Sequence, residues 1–237
     1  MGAEITGLKP GDRVVINPQA PPSGIIGCGG AQGGMSEYLL IQNARAGTSL
    51  AVFPDTLPFE IAALNEPMAV ARRCVNRSQA RPADKVNVFG AGPIGLGALI
   101  WLKLRGVRHV TVADIIPARL QTARDVGADA VIDSSRQDVT ARLTELHGHS
   151  TNALGAARPD TDIYIDAAGA TAVVNAALRA AKWGAKLVTV AVHKKPEPID
   201  LGSMLRSETT ITASQGYPPR SSRSPRKSRS TSSASPG

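Results

Sequence analysis

The sequence predicts an α/β fold in which a doubly wound parallel sheet carries helices on both faces. From residue 84 onward, short apolar β segments alternate strictly with helical segments, which is the pattern of βαβ units. The stretch VFGAGPIGLG at residues 88–97 joins the first of these strands to the first of these helices. The chain has 237 residues and 42% hydrophobic content, enough for one full domain core and part of a second.

Residues 1–60 carry β-type signals. The segment 13–16 (RVVI) follows a Pro10-Gly11 turn, and the segment 38–41 (YLLI) follows Gly33-Gly34, so a strand is predicted at each. The intervening NPQAPPSGIIGCGGAQGG is too rich in Gly and Pro for regular structure. We expect these 60 residues to form part of a β-rich domain.

The next segment predicts a helix that connects the two parts. Residues 57–80 have Pro58 near the start and apolar residues at helical spacing, which favours one continuous helix. We therefore assign residues 61–83 to a connecting helix and residues 84–215 to the α/β domain. The predicted strands of that domain are VNVFG, HVTVAD, DAVIDS, DIYIDAAG, AKLVTVAV and TTITAS, and the predicted helices are PIGLGALIWLKLRG, PARLQTARDVGA, DVTARLTELHG and TAVVNAALRAAKWG.

The glycine-rich turn indicates a dinucleotide site of the Rossmann type. It has the form Gly-x-Gly-x-x-Gly after an apolar strand and at the start of a helix, the context that gives this motif its specificity. The first glycine permits the tight turn, the second leaves room for a pyrophosphate, and the third lets helix and strand pack closely. Such turns also occur in proteins that bind no dinucleotide. The predicted cofactor-binding residues of the turn are Gly90, Gly92, Pro93, Ile94 and Gly95.

Asp114 indicates which dinucleotide the turn would bind. It closes the second strand of the series, nineteen residues after Gly95, where a carboxylate can accept hydrogen bonds from both hydroxyls of the adenosine ribose. A 2′-phosphate would be repelled there, so NAD is predicted over NADP. The alternative is that Asp114 only caps the helix that begins at Pro117.

The composition limits the other classes of function. Five positive charges of the net +8 lie in the last eighteen residues, so the folded part is only mildly basic and a nucleic-acid partner is not indicated. No apolar run reaches eighteen residues, and the start MGAEITGLKPGDR has no signal-peptide pattern. We therefore expect no membrane association and a cytoplasmic location. Cys28 and Cys74 are expected to be free thiols.

Several motifs together resemble the medium-chain zinc-dependent alcohol and polyol dehydrogenases, in particular the butanediol, sorbitol and threonine dehydrogenase branch. The resemblance runs from about residue 5 to residue 217. It implies a β-rich GroES-like catalytic domain, of which residues 1–60 would be a remnant, beside the Rossmann domain. The motifs are TGLKPGDRVV, GGMSEYLL, NEPMAVA, VFGAGPIGLG, VADIIPARL, GADAVID and the Gly216-Tyr217 pair.

The resemblance also implies a reaction and further cofactor contacts. Family members transfer a hydride reversibly between a secondary alcohol or diol and NAD, with a zinc ion polarising the alcohol oxygen. By analogy, Arg119 would lie near the adenosine ribose. The backbone around Ala168, Ala191 and Ser214, at the ends of later strands, would approach the nicotinamide half.

The metal half of the resemblance is incomplete. The family's cysteine ligand and Gly-His-Glu segment precede its GDRV strand, whereas this chain starts about ten residues before that strand. Glu66 matches an acidic residue that polyol-type members place near zinc, and it is the one candidate metal ligand. Cys28 alone represents the four-cysteine structural zinc lobe, so structural zinc is not expected.

No catalytic residue is assigned, because none of the four histidines offers a replacement for the missing zinc ligands. His109 is at a strand start, His147 and His149 are in a polar loop, and His193 precedes Lys194-Lys195. All four are interpreted as surface or strand-end residues.

Residues 216–237 form a Ser/Arg/Pro tail that we expect to be disordered, because such a composition cannot bury enough apolar surface to fold. The abrupt change suggests a shifted reading frame or a truncated gene, so the chain is expected to be a family member truncated at both ends. The alternative is a functional arginine-serine tail that binds RNA or is phosphorylated.

Two functions follow from these observations. The first is an NAD-dependent alcohol or polyol dehydrogenase by descent, inactive as a fragment. The second is a noncatalytic dinucleotide-binding module, because the cofactor half is complete and the metal half is not. A small-molecule alcohol or diol is the expected substrate of an active form, and a homo-oligomer is left open.

Overall fold

The computed structural model describes residues 2, 4–22, 24–28, 30–196 and 198–216. The predicted tail therefore lies outside the described residues, apart from Gly216. The chain divides into two compact units, of which the first contains the residues up to Pro54 and the second begins at Asp55.

The first unit contains a two-stranded antiparallel ladder. Strand β1 (Val14–Ile16) pairs with β2 (Leu50–Val52). The strand predicted at residues 38–41 is wrong: this segment has no regular structure, and the side chains of Tyr38 and Leu40 are 90% and 65% exposed. A half-buried strand needs a pairing strand and a covered face, so the apolar composition of this segment was not sufficient to make it a strand.

The second unit is built on a six-stranded parallel sheet. Its order is β10-β9-β8-β3-β4-β5, and every neighbouring pair is parallel. The chain starts in the centre at β3, proceeds outward through β4 and β5, and returns to β8 on the other side of β3. The expected doubly wound α/β fold is therefore confirmed. The strands are β3 (Lys85–Phe89), β4 (His109–Asp114), β5 (Ala130–Asp133), β8 (Ile163–Asp166), β9 (Lys186–Thr189) and β10 (Thr210–Ala213).

Helices cover both faces of this sheet. One apolar cluster joins one face of the sheet to three helices, α2 to α4 in the list below. A second cluster joins the opposite face to the next two helices, α5 and α6. These two cores explain why the central strands are apolar on both sides. The helices are α1 (Phe59–Ala62), α2 (Asn65–Ser78), α3 (Pro93–Leu104), α4 (Pro117–Val126), α5 (Val139–His147), α6 (Thr171–Ala180) and α7 (Leu201–Ser207).

The continuous helix predicted over residues 57–80 is instead two helices, α1 and α2. Pro67 accounts for the break, because a proline inside a helix clashes with the carbonyl group four residues earlier, here that of Ala63. Starting α2 at Asn65 places Pro67 in the first turn, where its missing N–H leaves no bond unmade.

Strand β2 of the first unit was not predicted from the sequence, and neither were three elements of the second unit. Strands β6 (His149–Thr151) and β7 (Ala157–Pro159) form a small antiparallel ladder between α5 and β8. Helix α7 precedes β10, and the side chain of Asp200 caps it by accepting from the backbone N–H of Ser203 at 2.9 Å. Aspartate is a preferred N-cap residue, so Asp200 was a helix-start signal that the sequence did contain.

Cys74 illustrates how closely α2 packs on the sheet. Its side chain is fully buried in the cluster shared with α3 and the central strands. Burial, together with the negative charge of Asp166, raises the pKa of the Cys74 thiol to about 12. Cys28, in the first unit, is exposed. Among the described residues, no helix is both long and apolar enough to cross a bilayer.

Candidate functional site

The candidate site lies at the carboxyl edge of the sheet, where β3 and β8 meet. The connections from these two neighbours run in opposite directions across the sheet. In open α/β sheets, this reversal opens a crevice outside the carboxyl ends of the strands, and ligands bind there. The glycine-rich turn follows β3 and therefore lies at this crevice.

The three glycines of the turn meet three different steric demands. Gly90 has φ +95°, and a Cβ there would lie 3.0 Å from the Cα and N atoms of Ala168. At residue 95, a Cβ would lie 1.8 Å from the carbonyl oxygen of Gly90. By contrast, a Cβ at Gly92 would meet no atom within 4 Å. The turn is thus tightly packed on the protein side and open on the crevice side.

Helix α3 begins directly at the turn and presents backbone donors to the crevice. Gly92 is its N-cap and Pro93 is its first residue. The N–H group of Leu96 donates to the Gly92 carbonyl at 2.9 Å, so the N–H groups of Ile94 and Gly95, which precede it, have no partner within the helix. Unbonded N–H groups and the helix dipole favour an anion at this position.

Asp114 ties the end of β4 to the glycine turn. Its Oδ2 accepts from the backbone N–H of Ala91 at 2.7 Å, and its Oδ1 accepts from that of Ile116 at 2.9 Å. An ionised carboxylate has about four acceptor positions, so each oxygen can accept one more hydrogen bond. The bond to Ile116 shows that Asp114 does support the start of α4, but the bond to Ala91 also places its charge at the turn.

The other predicted cofactor residues occupy the same edge of the sheet. Ala168 follows β8 against Gly90, while Ala191 follows β9 and Ser214 follows β10. The hydroxyl group of Ser214 is buried and has no hydrogen-bond partner among the described residues. Arg119 is exposed in the first turn of α4. The fold thus brings the glycine turn, Asp114 and Ala168 together.

Asp166 is a polar residue of this edge that the sequence reasoning missed. It is the last residue of β8 and is fully buried. Its Oδ1 accepts from the backbone N–H groups of Ala168 and Gly169, at 3.1 and 3.0 Å. Its Oδ2 lies 3.2 Å from Oγ1 of Thr189 and 2.7 Å from Nε2 of His193. The available signal was a carboxylate at the end of an apolar strand, directly before a small-residue loop.

The surface interpretation of the histidines is wrong for His147. It lies in the last turn of α5 and is 4% exposed, with Nε2 3.0 Å from Oγ1 of Thr111 and Nδ1 2.8 Å from Oγ1 of Thr161. Burial first, and then the positive charge of Lys85, lower its pKa to about 4. His193 is half-buried because of its contact with Asp166, whereas His109 and His149 are exposed.

Residues 93–226 match the family model described as zinc-binding dehydrogenase, and this match covers more than half of the chain. The chain belongs to the zinc-binding dehydrogenase family. The resemblance stated from the sequence motifs is therefore confirmed at the level of the family.

Relatives of this chain come from bacteria and animals. (R,R)-butanediol dehydrogenase of Bacillus subtilis is 30% identical over an alignment of 229 residues, and the match covers 92% of this chain and 62% of that protein. Human sorbitol dehydrogenase is 30% identical over 213 residues, covering 85% of this chain and 58% of that protein. The chain thus spans about three fifths of the length of these curated relatives.

Solved structures agree with the fold. The crystal structure of 2R,3R-butanediol dehydrogenase from Bacillus subtilis has a TM-score of 0.74 and 30% identity, and it covers 90% of this chain and 61% of its own. An alcohol dehydrogenase from Escherichia coli CFT073, solved with the cofactor NADH, has a TM-score of 0.61 and 27% identity. That match covers 70% of this chain and 46% of the other.

The zinc ion that the family name implies does not fit the donors in the described part of the chain. A catalytic zinc needs three protein ligands and an open position, but the described residues contain no group of three His, Cys, Asp or Glu side chains close enough to hold a metal. Glu66, the predicted ligand, is exposed in the first turn of α2. We therefore derive no chemical step through zinc.

Proposed function

We propose that this chain binds NAD(H) at the carboxyl edge of its parallel sheet. The observation that carries the proposal is the hydrogen bond between Asp114 and the backbone of the glycine turn, at 2.7 Å from the Ala91 N–H group. This contact puts a carboxylate beside the open face of Gly92 and the unbonded donors of α3. The combination suits a ribose with two free hydroxyls joined to a pyrophosphate.

Each part of the edge has a distinct task in this proposal. The N–H groups of Ile94 and Gly95 hold the pyrophosphate, and the carboxylate of Asp114 accepts from the ribose hydroxyls and repels a 2′-phosphate. Arg119 covers the adenosine side. The loops at Ala168, Ala191 and Ser214 hold the nicotinamide half. When bound, the cofactor supplies hydride transfer to and from the carbon of an alcohol.

The family relationship supports an alcohol or polyol dehydrogenase that acts on a secondary alcohol or diol. The named relatives act on butanediol and sorbitol, and we propose the same substrate class for the enzyme to which this sequence belongs. In this proposal, residues 1–60 belong to the GroES-like part, residues 61–83 connect the parts, and residues 84–215 form the cofactor domain.

A second candidate function is a dinucleotide-binding module without catalysis. The observation that favours it is the absence of a three-residue metal-binding group from the described ranges. Incubation with NAD and either butane-2,3-diol or sorbitol distinguishes the two, because only the dehydrogenase produces NADH, which is measured by its absorbance. Stoichiometric zinc with turnover supports the first function, and tight NADH binding without turnover supports the second.

Titration with NADH and with NADPH, followed by nucleotide fluorescence, tests the cofactor site. We expect NADH to bind more tightly than NADPH. Replacing Asp114→Ser should weaken NADH binding about tenfold, because a hydrogen bond to a charged group is lost. It should therefore narrow the difference in affinity between NADH and NADPH. Asp114→Asn keeps one acceptor oxygen for the backbone of the turn. It should therefore narrow the same difference in affinity and reduce the stability of the fold less than Asp114→Ser does.

Asp125→Ser is the matched control. Asp125 is exposed on α4 and accepts from the side chain of Gln121 at 2.9 Å, so its loss should leave both affinities unchanged. If the Asp114 variants retain the wild-type affinity for both nucleotides, or if the wild-type chain binds neither, the proposal is wrong.

A further inference from the structure

The contacts of Asp166 hold together three segments at the carboxyl edge of the sheet. Oδ1 receives the two backbone N–H groups of the loop after β8, at Ala168 and Gly169. Oδ2 contacts Thr189 at the end of β9 and His193 in the loop that follows. A fully buried carboxylate is costly unless its acceptor positions are filled, so each donor matters to this arrangement.

The loops after β8 and β9 also touch each other directly. Gly169 has φ +65°, and a Cβ there would lie 3.1 Å from the carbonyl oxygen of Val192 and 3.2 Å from the Cβ of Ala191. Ala168 in turn lies against Gly90 of the glycine turn. The loop after β9 therefore packs on the loop after β8, which in turn packs on the glycine turn.

Within the described residues, His193 supplies the one side-chain contact to the Asp166 carboxylate that comes from beyond the end of β9. The 2.7 Å contact between Nε2 and Oδ2 brings this loop back over the fully buried carboxylate. Without it, the loop would keep its backbone contact at Ala191, whose N–H donates to the Asp166 carbonyl at 3.1 Å, but the side-chain contact between His193 and the Asp166 carboxylate would be lost.

We propose that His193 is a positioning residue for the nicotinamide half of the cofactor. It acts through Asp166, by fixing the loop after β9 against the loop after β8, and it does not touch the reacting atoms. This inference rests on the proposed function, since it assumes that the two loops hold the nicotinamide half of a bound dinucleotide.

The geometry argues against proton transfer by this histidine. Nε2 is occupied by Asp166, and Nδ1 is buried from solvent. A general base needs a nitrogen within hydrogen-bond reach of the proton that it removes, and neither ring nitrogen is presented to the crevice. Orientation of the loop is the role that the contacts support.

The test compares two ligands that share the adenosine and pyrophosphate groups. NADH reaches the loops after β8 and β9, whereas ADP contains no nicotinamide and ends at the glycine turn. Replacing His193→Ala should raise the Kd for NADH about tenfold and leave the Kd for ADP unchanged. His193→Gln should restore most of the NADH affinity, because its amide can donate to Asp166 from nearly the same position as Nε2.

His149→Gln is the control variant, because His149 is exposed on β6 and should not affect either ligand. Thermal unfolding of each variant shows whether the fold is intact. An unchanged Kd for NADH in His193→Ala, an equal loss for NADH and ADP, or a failure of His193→Gln to restore binding would overturn the inference. If the wild-type chain does not bind NADH, the proposed function itself is contradicted.

Discussion

At the residue scale, His147 places a neutral imidazole inside the sheet domain. Hydroxyl groups of Thr111 and Thr161 contact its two ring nitrogens. The groups that affect its charge are Lys85 and His109, which oppose protonation, and Asp160 and Asp162, which favour it. Burial outweighs the two carboxylates, so the pKa of His147 falls from 6.5 to about 4.

This pKa predicts a loss of stability in mild acid. A group whose pKa is lower in the folded state binds protons more readily when the chain is unfolded, so its stabilising contribution is complete above about pH 6.5 and declines until the pH reaches about 4. Between pH 7.5 and pH 5, we expect the free energy of unfolding to fall by about 2 kcal/mol from this residue. Urea unfolding at both pH values measures the change.

The variant His147→Gln should remove this part of the pH dependence, because glutamine does not titrate. His149→Gln is the matched control and should retain the full dependence, since His149 is exposed. If the free energy of unfolding falls equally between pH 7.5 and pH 5 in the wild type and in His147→Gln, the acid sensitivity belongs to other groups.

Some residue-level features could be predicted and others could not. Asp114 was placed at the turn because its distance from Gly95 follows from the length of one helix and one strand. His147 was missed because a glycine and two polar residues follow it in TELHGHS, although its spacing of four from the buried Leu143 in α5 was a helical signal. The link from Asp166 to His193 spans 27 residues, and no local pattern encodes it.

At the element scale, different glycines of the turn between β3 and α3 serve packing and binding. The variant Gly95→Ala puts a methyl group 1.8 Å from the Gly90 carbonyl oxygen. We expect it to lower the free energy of unfolding by about 2 kcal/mol and to weaken NADH binding. Gly92→Ala meets no protein atom within 4 Å, so it should leave stability unchanged and weaken NADH binding alone. Urea unfolding and NADH titration on both variants make the comparison.

Gly92→Ala therefore serves as the stability control for Gly95→Ala. Equal destabilisation by the two substitutions would contradict the packing described at the turn. Full NADH affinity in Gly92→Ala would mean that the open face of this glycine does not approach the nucleotide.

Most elements of the larger unit could be predicted because its strands are buried on both faces. Apolar runs such as those of β3 and β8 are unambiguous when polar helical segments separate them. Short elements gave no such signal: β6 and β7 have three residues each, β6 is entirely polar, and β7 ends in a proline. The break at Pro67 and the cap at Asp200 depended on single residues within patterns that otherwise favoured a helix or a loop.

At the scale of the whole molecule, the described residues assemble the parts of a cofactor site but not the ligands of a metal site. The described residues assemble a glycine turn, a carboxylate and two packed loops at one edge of the sheet. Over the same ranges, no three metal-binding side chains converge. We expect the purified chain to hold less than one equivalent of zinc by elemental analysis. Treatment with EDTA should change neither its thermal midpoint nor its NADH affinity.

A loss of NADH affinity on EDTA treatment, restored by added zinc, would contradict this expectation. Stoichiometric zinc would likewise show that ligands outside the described residues complete a site. The incomplete set of metal ligands stays a prediction, made from residue types alone. The convergence of the two loops could not be predicted in that way, because it depends on the strand order of the folded sheet.

The burial of Cys74 gives the chain two thiols of very different reactivity. The thiolate is the form that attacks alkylating reagents, and a pKa of about 12 keeps Cys74 protonated in the native state, while Cys28 is accessible. A first label therefore marks the smaller unit within minutes. Cys74 can be modified only after α2 separates from the sheet. The rate of its modification therefore measures how often the larger unit opens.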